Sequence, residues 1–421
     1  MKTRFALLGA LLALLLVAPV APAQMPPGAP DLKGAKSAIL MEPTTGDVLL
    51  AHNADQRRQI ASTTKLMTVL VALERNDLDD VFSAADYDAS PAESQIGLRS
   101  GERMSVRDLL RAALLPSAND AAATLAVGTM GSTEAFVTEM NRRATALGLS
   151  GTHFANPIGL DDPENYSTAR DLARLAVRLR RHDFFRRTVD LPVATLRSGS
   201  IDRTVLNRNL LVRRVDAVNG VKTGSTRRAG SVLVGSASRD GVTVISVVLG
   251  EPSERARDAD SLALLRYGLD SYNARTVLPE GRVLGRVGLQ YRGEETVDVI
   301  AGDTVKRVLR SGTRTRTTVV GLPTEVDGPL PRGTRVGTAI VRGGEEVLAR
   351  VPVVTARPVA ESSLGARLDD MLRRSQTIIA LVLLLVCSLP LLLLRRRALN
   401  RRRALDAEHR RARRREESTV P

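Results

Sequence analysis

The apolar positions of this chain change period several times, and each change marks a different kind of element. Residues Ser37 to Ala51 form two apolar runs around Thr44-Thr45-Gly46, the pattern of a hairpin. From Ser62 the repeat becomes helical: Leu66, Met67, Val69, Leu70 and Leu73 recur at the spacing of a helix whose first turn carries Ser62 and Lys65. The same spacing predicts helices over Val106 to Leu115, Ala121 to Val127, Thr133 to Leu147, Thr168 to Arg181 and Leu262 to Leu269. Ser231 to Ser236 and Val242 to Leu249 flank Arg239-Asp240-Gly241, whose glycine suits a hairpin turn. Strands at both ends with helices between predict one antiparallel sheet packed by a helical cluster, an α+β architecture over residues 37–273.

Past Asn273 the helical period disappears. Val283 to Leu289, Val297 to Ala301, Arg316 to Val320, Arg335 to Val341 and Val347 to Val354 are short alternating runs, and Gly343-Gly344 joins the last two as a hairpin. Residues 274–360 therefore read as a separate small β-rich domain. Leu364, Leu368, Met371 and Leu372 then mark a short amphipathic helix within residues 361–376.

Thr377 to Leu394 is eighteen residues without a charge, which at about 1.5 Å per residue just spans the hydrocarbon core of a bilayer. Arg395-Arg396-Arg397 and Arg401-Arg402-Arg403 follow at once, so the positive-inside rule assigns the tail 395–421 to the cytoplasm and the body to the outer face. At the other end, Lys2 and Arg4 precede an apolar run from Phe5 to Val17, and Ala21-Pro22-Ala23 offers a cleavage site before Gln24. Residues 1–23 read as a secretory signal and 24–36 as a linker.

The formal charge of +15 raises the question of a nucleic-acid partner, but its distribution answers it. The tail from Arg395 holds eleven arginines against four acidic residues, and with the leader removed the remaining body carries only +6. Aromatic residues make up 3% of the chain, so platforms for stacking bases are scarce and no nucleic-acid partner is expected. Cys387, the only cysteine, lies in the apolar segment, and His52, His153, His182 and His409 are scattered. No intrachain disulfide can form, no metal-ligand spacing appears, and no cofactor is expected.

Candidate chemistry sits in three short motifs: Ser62-Thr63-Thr64-Lys65, Ser117-Ala118-Asn119 and Lys222-Thr223-Gly224. Six lysines stand among 61 basic residues, and two of the six fall in these motifs. Arginine does not deprotonate in a protein, whereas a buried lysine near another cation can act as a base. Ser62 and Lys65 are three apart on a helix, so the amine can take the proton of the hydroxyl if Lys222 supplies the second cation. The Ser62 backbone N–H adds an oxyanion donor. Ser117 offers a hydroxyl for proton relay, and Asn119 an amide able to hold Lys65 together with a substrate carbonyl. Lys222 and Thr223 on an edge strand suit a carboxylate, with Gly224 allowing close approach of a ligand to the backbone. Each motif alone is weak; their order and their helix-then-strand context give the signal.

The region from Ser37 to Leu269 resembles the serine-type D-alanyl-D-alanine carboxypeptidases, the low-molecular-weight penicillin-binding proteins. Ile60 to Thr68 is similar to the family's nucleophile helix, and Asn119-Asp120-Ala121-Ala122, Leu147-Gly148-Leu149 with Thr152-His153-Phe154, and Tyr166 to Leu172 match its habits. The resemblance implies a β-lactamase/transpeptidase-like fold, a β-rich second domain, acylation of Ser62 with Lys65 as base, and a second active-site element in Ser117 and Asn119. It implies a carboxylate site in Lys222 and Thr223, a second oxyanion N–H at Ser225, and a further carboxylate partner in Arg257, with Arg255 two residues away. The substrates it implies are peptidoglycan stem peptides, with β-lactams as inhibitors. Many relatives end in a helix that lies on the membrane, whereas this sequence reads as crossing it.

Three other readings compete. A class A β-lactamase would use Glu164 to deacylate, but Ser117-Ala118-Asn119 lacks that class's middle aspartate, and Glu164 in Asp162-Pro163-Glu164-Asn165 also reads as a solvated loop acid. An endopeptidase would share every motif. A silent penicillin-binding sensor or scaffold would not need all of them intact.

Overall fold

The computed structural model describes residues 28–373 and 375–416; the proposed leader at 1–23 lies outside them. Two compact units emerge, one holding the chain up to Ala274 together with Val308–Ser311, the other holding Arg275–Arg307 and the chain from Gly312 onward.

The first unit is built on a five-stranded antiparallel sheet. Its strands are β1 (Ser37–Met41), β2 (Val48–His52), β3 (Val218–Thr226), β4 (Gly230–Arg239) and β5 (Val242–Glu251), in the order β2-β1-β5-β4-β3. The hairpins and the α+β class read from the sequence are present, and β3 is the edge strand expected for Lys222. β1, β4 and β5 are buried almost end to end because both faces of the sheet are covered. Along β4, Val232 and Val234 pack into the larger core while Leu233, pointing the other way, packs into the smaller one.

The larger core lies between the sheet and α1 (Lys65–Arg75), α2 (Val106–Leu114), α3 (Asn119–Met130), α4 (Thr133–Ala146) and α5 (Ala169–Leu179). The smaller core joins the opposite face to α6 (Glu254–Ser271) through Leu264, Leu265 and Leu269. Ser105, Ser132, Thr168 and Ser253 cap α2, α4, α5 and α6, each accepting from the backbone N–H three residues on.

Three boundaries differ from the sequence reading. α3 begins at Asn119 and continues to Met130, beyond the expected Ala121 to Val127: Asn119 to Ala126 are buried on every side and leave no one-sided stripe to read, and Gly128 breaks the pattern near its end. α6 starts at Glu254 rather than Leu262; its first two turns are largely charged, and the Ser253 cap defines the start. Ser62 belongs to a 3₁₀ turn, Ala61–Thr64, that precedes α1, so the nucleophile candidate lies one turn ahead of the expected helix.

The second unit contains β6 (Val283–Leu289), β7 (Thr296–Ala301), β8 (Thr315–Val320), β9 (Glu325–Val326), β10 (Arg335–Gly343) and β11 (Glu346–Thr355) in one sheet of order β8-β10-β11-β7-β6-β9. Alternate residues Val287 and Leu289, Val297 and Val299, and Val351 and Val353 are buried, which is the period the sequence displays. Helix α7 (Leu364–Arg373) leaves Leu364, Leu368 and Met371 exposed. Helix α8 (Ser375–Glu416) runs unbroken through Pro390 and the arginine clusters, and it is long and apolar enough to cross a membrane.

Candidate active site

Two backbone conformations set the floor of the site. Ala61 and Ser117, the residues before the Ser62 hydroxyl and at the head of the second motif, have φ of 46° and 68°. The left-handed region is costly for a side chain and is tolerated where the surroundings over-determine it, which is common at functional sites.

Close approach does the rest. A Cβ on Gly224 would lie 2.9 Å from Ser62 N, so only glycine lets β3 press against the Ser62 turn. Gly159, with φ of +85°, faces the same turn from the other side; a Cβ there would meet Ala61 O at 2.2 Å. Asn165 Nδ2 donates to Thr64 Oγ1 at 3.0 Å, and Thr68 Oγ1 donates to Pro157 O at 2.6 Å, pinning the 156–165 loop to α1. Asp161 closes this loop onto the end of β3, accepting from Thr226 Oγ1 at 2.5 Å and from Arg228 N at 3.3 Å.

Lys65 is fully buried. Its Nζ donates to Asn119 Oδ1 and Ile158 O, each at 2.5 Å, and lies 3.2 Å from Ser62 Oγ. A neutral amine has two hydrogens and one lone pair. Asn119 and Ile158 engage both hydrogens, and the third direction is the one that faces the Ser62 hydroxyl. Burial is the main cause that lowers the Lys65 pKa to about 7; Glu93 and Asp120 oppose the shift, and Arg208 adds to it.

Lys222 is buried as deeply, donating to Ser117 Oγ at 2.8 Å and Thr223 O at 2.9 Å. Its pKa falls well below the ordinary lysine value through burial first, then through Lys65, Arg208 and Arg257. The sequence reading made Lys222 the candidate second cation that tunes Lys65. Burial pushes both amines toward neutrality, and the cation that registers on Lys65 is Arg208.

The remaining candidates are placed as follows. Thr223 and Gly224 continue β3 beyond Lys222, and Ser225 follows them, exposed and opposite Ser231. Arg257 is buried and paired with Asp258 at 2.8 Å, close enough to act on Lys222, whereas Arg255 is exposed. Glu164 is exposed on its loop, and its backbone carbonyl, 2.7 Å from His153 Nδ1, makes the contact there.

Sequence reasoning missed Glu93, Arg208 and Gly159. Glu93 Oε2 accepts from Asn119 Nδ2 at 2.6 Å, so one of the amide hydrogens assigned to a substrate carbonyl is already engaged. Glu93 lies in a polar stretch with no period, and Arg208 is one arginine among many, so neither carried a signal. Gly159 could have been suspected from Pro157-Ile158-Gly159, since a turn there asks for a residue at positive φ.

A serine hydroxyl against one buried lysine, with a second buried lysine on an adjoining edge strand, defines an acylating serine enzyme. The family model described as D-alanyl-D-alanine carboxypeptidase matches residues 23–253, and that of the penicillin-binding protein 5 C-terminal domain matches residues 272–361. The D-alanyl-D-alanine carboxypeptidase DacF of Bacillus subtilis is 30% identical over 76% of this chain and 84% of its own. The crystal structure of D-alanyl-D-alanine carboxypeptidase DacD from Francisella tularensis superposes with a TM-score of 0.58 at 28% identity, covering 80% of this chain and 96% of that one. The Streptomyces K15 DD-transpeptidase gives a TM-score of 0.54 at 37% identity over 57% of this chain and 98% of its own. This chain belongs to the D-alanyl-D-alanine carboxypeptidases, the S11 family of serine peptidases, and is a hydrolase of the low-molecular-weight penicillin-binding type.

Proposed function

We propose that Ser62 attacks the carbonyl of the penultimate D-alanine of a peptidoglycan stem peptide. The Ser62 proton passes to the neutral Lys65 amine as the Oγ–C bond forms, and the backbone N–H groups of Ser62 and Ser225 receive the oxyanion. The C–N bond to the terminal D-alanine then breaks, and the proton that Lys65 took from Ser62 passes to the leaving amine by way of Ser117, leaving Lys65 neutral again. Asn119 positions Lys65. Lys222 and Thr223 grip the terminal carboxylate, and Arg257 adds positive potential behind them. Water next cleaves the acyl ester, with Lys65 again taking a proton, and releases the trimmed peptide. A β-lactam enters as a substrate mimic and leaves a slow-clearing ester on the same oxygen.

The observation that carries this reading is the arrangement at Lys65 Nζ, where two carbonyl oxygens occupy its hydrogens and Ser62 Oγ stands in the remaining direction. The apolar stretch 377–394 supports a membrane anchor, and the arginines after it support an outward-facing body with a cytoplasmic tail. The test is fluorescent penicillin labelling of the full chain in detergent, with peptide mapping and an assay for free D-alanine. Label on the Ser62 peptide, and loss of both signals in Ser62→Ala, are expected; label elsewhere rules the assignment out.

A further inference from the structure

The segment 84–98 runs past the second motif and is stitched to α3 at several points that do not involve Glu93. Ala85 N donates to Thr124 Oγ1 at 3.1 Å, Ile96 N and Leu98 N donate to the buried Asp120 carboxylate at 3.1 and 3.0 Å, and Asn119 N donates to Ser94 O at 2.6 Å. The loop is therefore held in place without the Glu93 side chain. That side chain instead reaches the catalytic floor. Its Oε2 accepts from both Tyr87 Oη and Asn119 Nδ2, and its Oε1 accepts from Ser90 N at 3.2 Å.

An asparagine amide has a donor end and an acceptor end, and here each is claimed by a group of opposite character. The carboxylate takes Nδ2 at 2.6 Å, while the lysine amine takes Oδ1 at 2.5 Å. A flipped amide would point N–H at an amine donor and oxygen at a carboxylate, so Glu93 fixes the orientation. Its charge also reaches Lys65, opposing the loss of the proton on Nζ. The other charged groups that act on Lys65 are Asp120 from α3 and Arg208 from the 207–209 turn, while Lys222 on β3 is coupled to it.

We propose that Glu93 is a positioning residue for acylation: anchored by Tyr87 and Ser90, its carboxylate holds the Asn119 amide against Lys65, and its negative charge acts on the Lys65 amine through that amide. This rests on the reading of Lys65 as the base of Ser62. The carboxylate does not touch the reacting atoms. It decides which way Asn119 faces and how firmly Lys65 keeps a proton between turnovers.

Two variants of the full chain in detergent separate the two effects. Glu93→Gln keeps an acceptor oxygen of the same reach and removes the charge; Glu93→Ala removes both. The second-order rate of Ser62 labelling by fluorescent penicillin is measured from pH 5 to 10, with the label located by mass spectrometry. A negative neighbour favours the protonated amine, so its removal lets Lys65 stay neutral to lower pH, and the acid limb of both variants should move down by about 0.5–1 unit. In Glu93→Ala the plateau should also fall about ten- to a hundred-fold, because a freed amide misplaces the base. An unmoved acid limb in both variants, with or without a lower plateau, would reduce Glu93 to a loop residue and overturn the proposal. Wild-type protein without label on Ser62 at any pH would instead remove the parent reading.

Discussion

Two clusters of buried charge in the first unit follow opposite rules. Around Glu102 every lone pair is answered: Arg203 Nη1 and Nη2 donate at 2.8 and 2.9 Å, Ser200 N and Oγ at 2.8 and 2.9 Å, and Arg99 N at 3.2 Å. The guanidinium of Arg203 is the main cause that holds this carboxyl at about 2. At the candidate site Lys65 and Lys222 are buried too, yet every hydrogen-bond partner they have among the described residues is a neutral oxygen. A saturated ion pair locks its charge state and ties distant segments together. Withheld counter-charge leaves the amines close to neutrality and able to accept a proton or an anion, which is the condition catalysis needs.

Exchanging the two lysine and arginine positions for an apolar chain of similar length breaks the comparison most sharply. Lys65→Met removes the proposed base, and labelling of Ser62 should fall by about 10³-fold, some 4 kcal/mol of barrier. No paired charge is broken, but Asn119 Oδ1 and Ile158 O lose their donor, so its unfolding free energy in urea should fall by about 1–3 kcal/mol. Arg203→Met should do the reverse. It strands Glu102, and a loss of about 3–5 kcal/mol of stability is expected, read from the urea midpoint, while the acylation rate per folded molecule stays near wild type. A large stability loss in Lys65→Met with little change in Arg203→Met would mean that the roles of the clusters are wrongly divided.

A smaller effect is expected at the seam between β3 and the Ser62 turn. Gly224→Ala inserts a methyl 2.9 Å from both Ser62 N and Val232 Cγ2. The strand must move off the turn, and a displacement near 1 Å should cost about 10²-fold in acylation rate with little loss of stability. Wild-type kinetics in this variant would show that the close approach of β3 to the Ser62 backbone carries no functional weight.

The contrast also explains what could be read before folding. The floor motifs were legible because lysine is rare here, so Lys65 and Lys222 stood out, and because Ser62 and Lys65 are local neighbours three residues apart. The five-stranded sheet was legible in part, since β1, β2, β4 and β5 show their apolar runs openly. Glu102 and Arg203 were not, because they are about a hundred residues apart and no period or local spacing links them. Glu93 was missed for the same reason: its partner Asn119 is brought to it by the packing of the 84–98 segment on α3. The ends of α3 and α6 were misjudged where burial on all sides, or a charged first turn, erased the amphipathic stripe. Local chemistry is written in the chain, whereas the groups that tune it arrive through tertiary contacts.

On the pH axis the clusters should separate completely. Lys65 must be neutral to act, and with its pKa lowered to about 7, the free amine falls to about one part in a hundred near pH 5. Ser62 labelling should drop about a hundred-fold between pH 8 and pH 5. For Glu102 and Glu139 the sign runs the other way. Their folded pKa values, about 2 each, lie below the ordinary 4.5 because of Arg203 in the first case and Arg142 in the second. A depressed carboxyl pKa stabilises the folded state fully above 4.5, and that contribution is lost only as the pH falls from 4.5 toward 2. At pH 5 the protein should therefore be folded but almost unreactive, and restoring pH 8 should return full labelling within the mixing time. Labelling and circular dichroism on the same samples decide it. Loss of signal in both at pH 5 would mean that the saturated cluster does not protect the fold, and undiminished labelling there would mean that Lys65 is not the base.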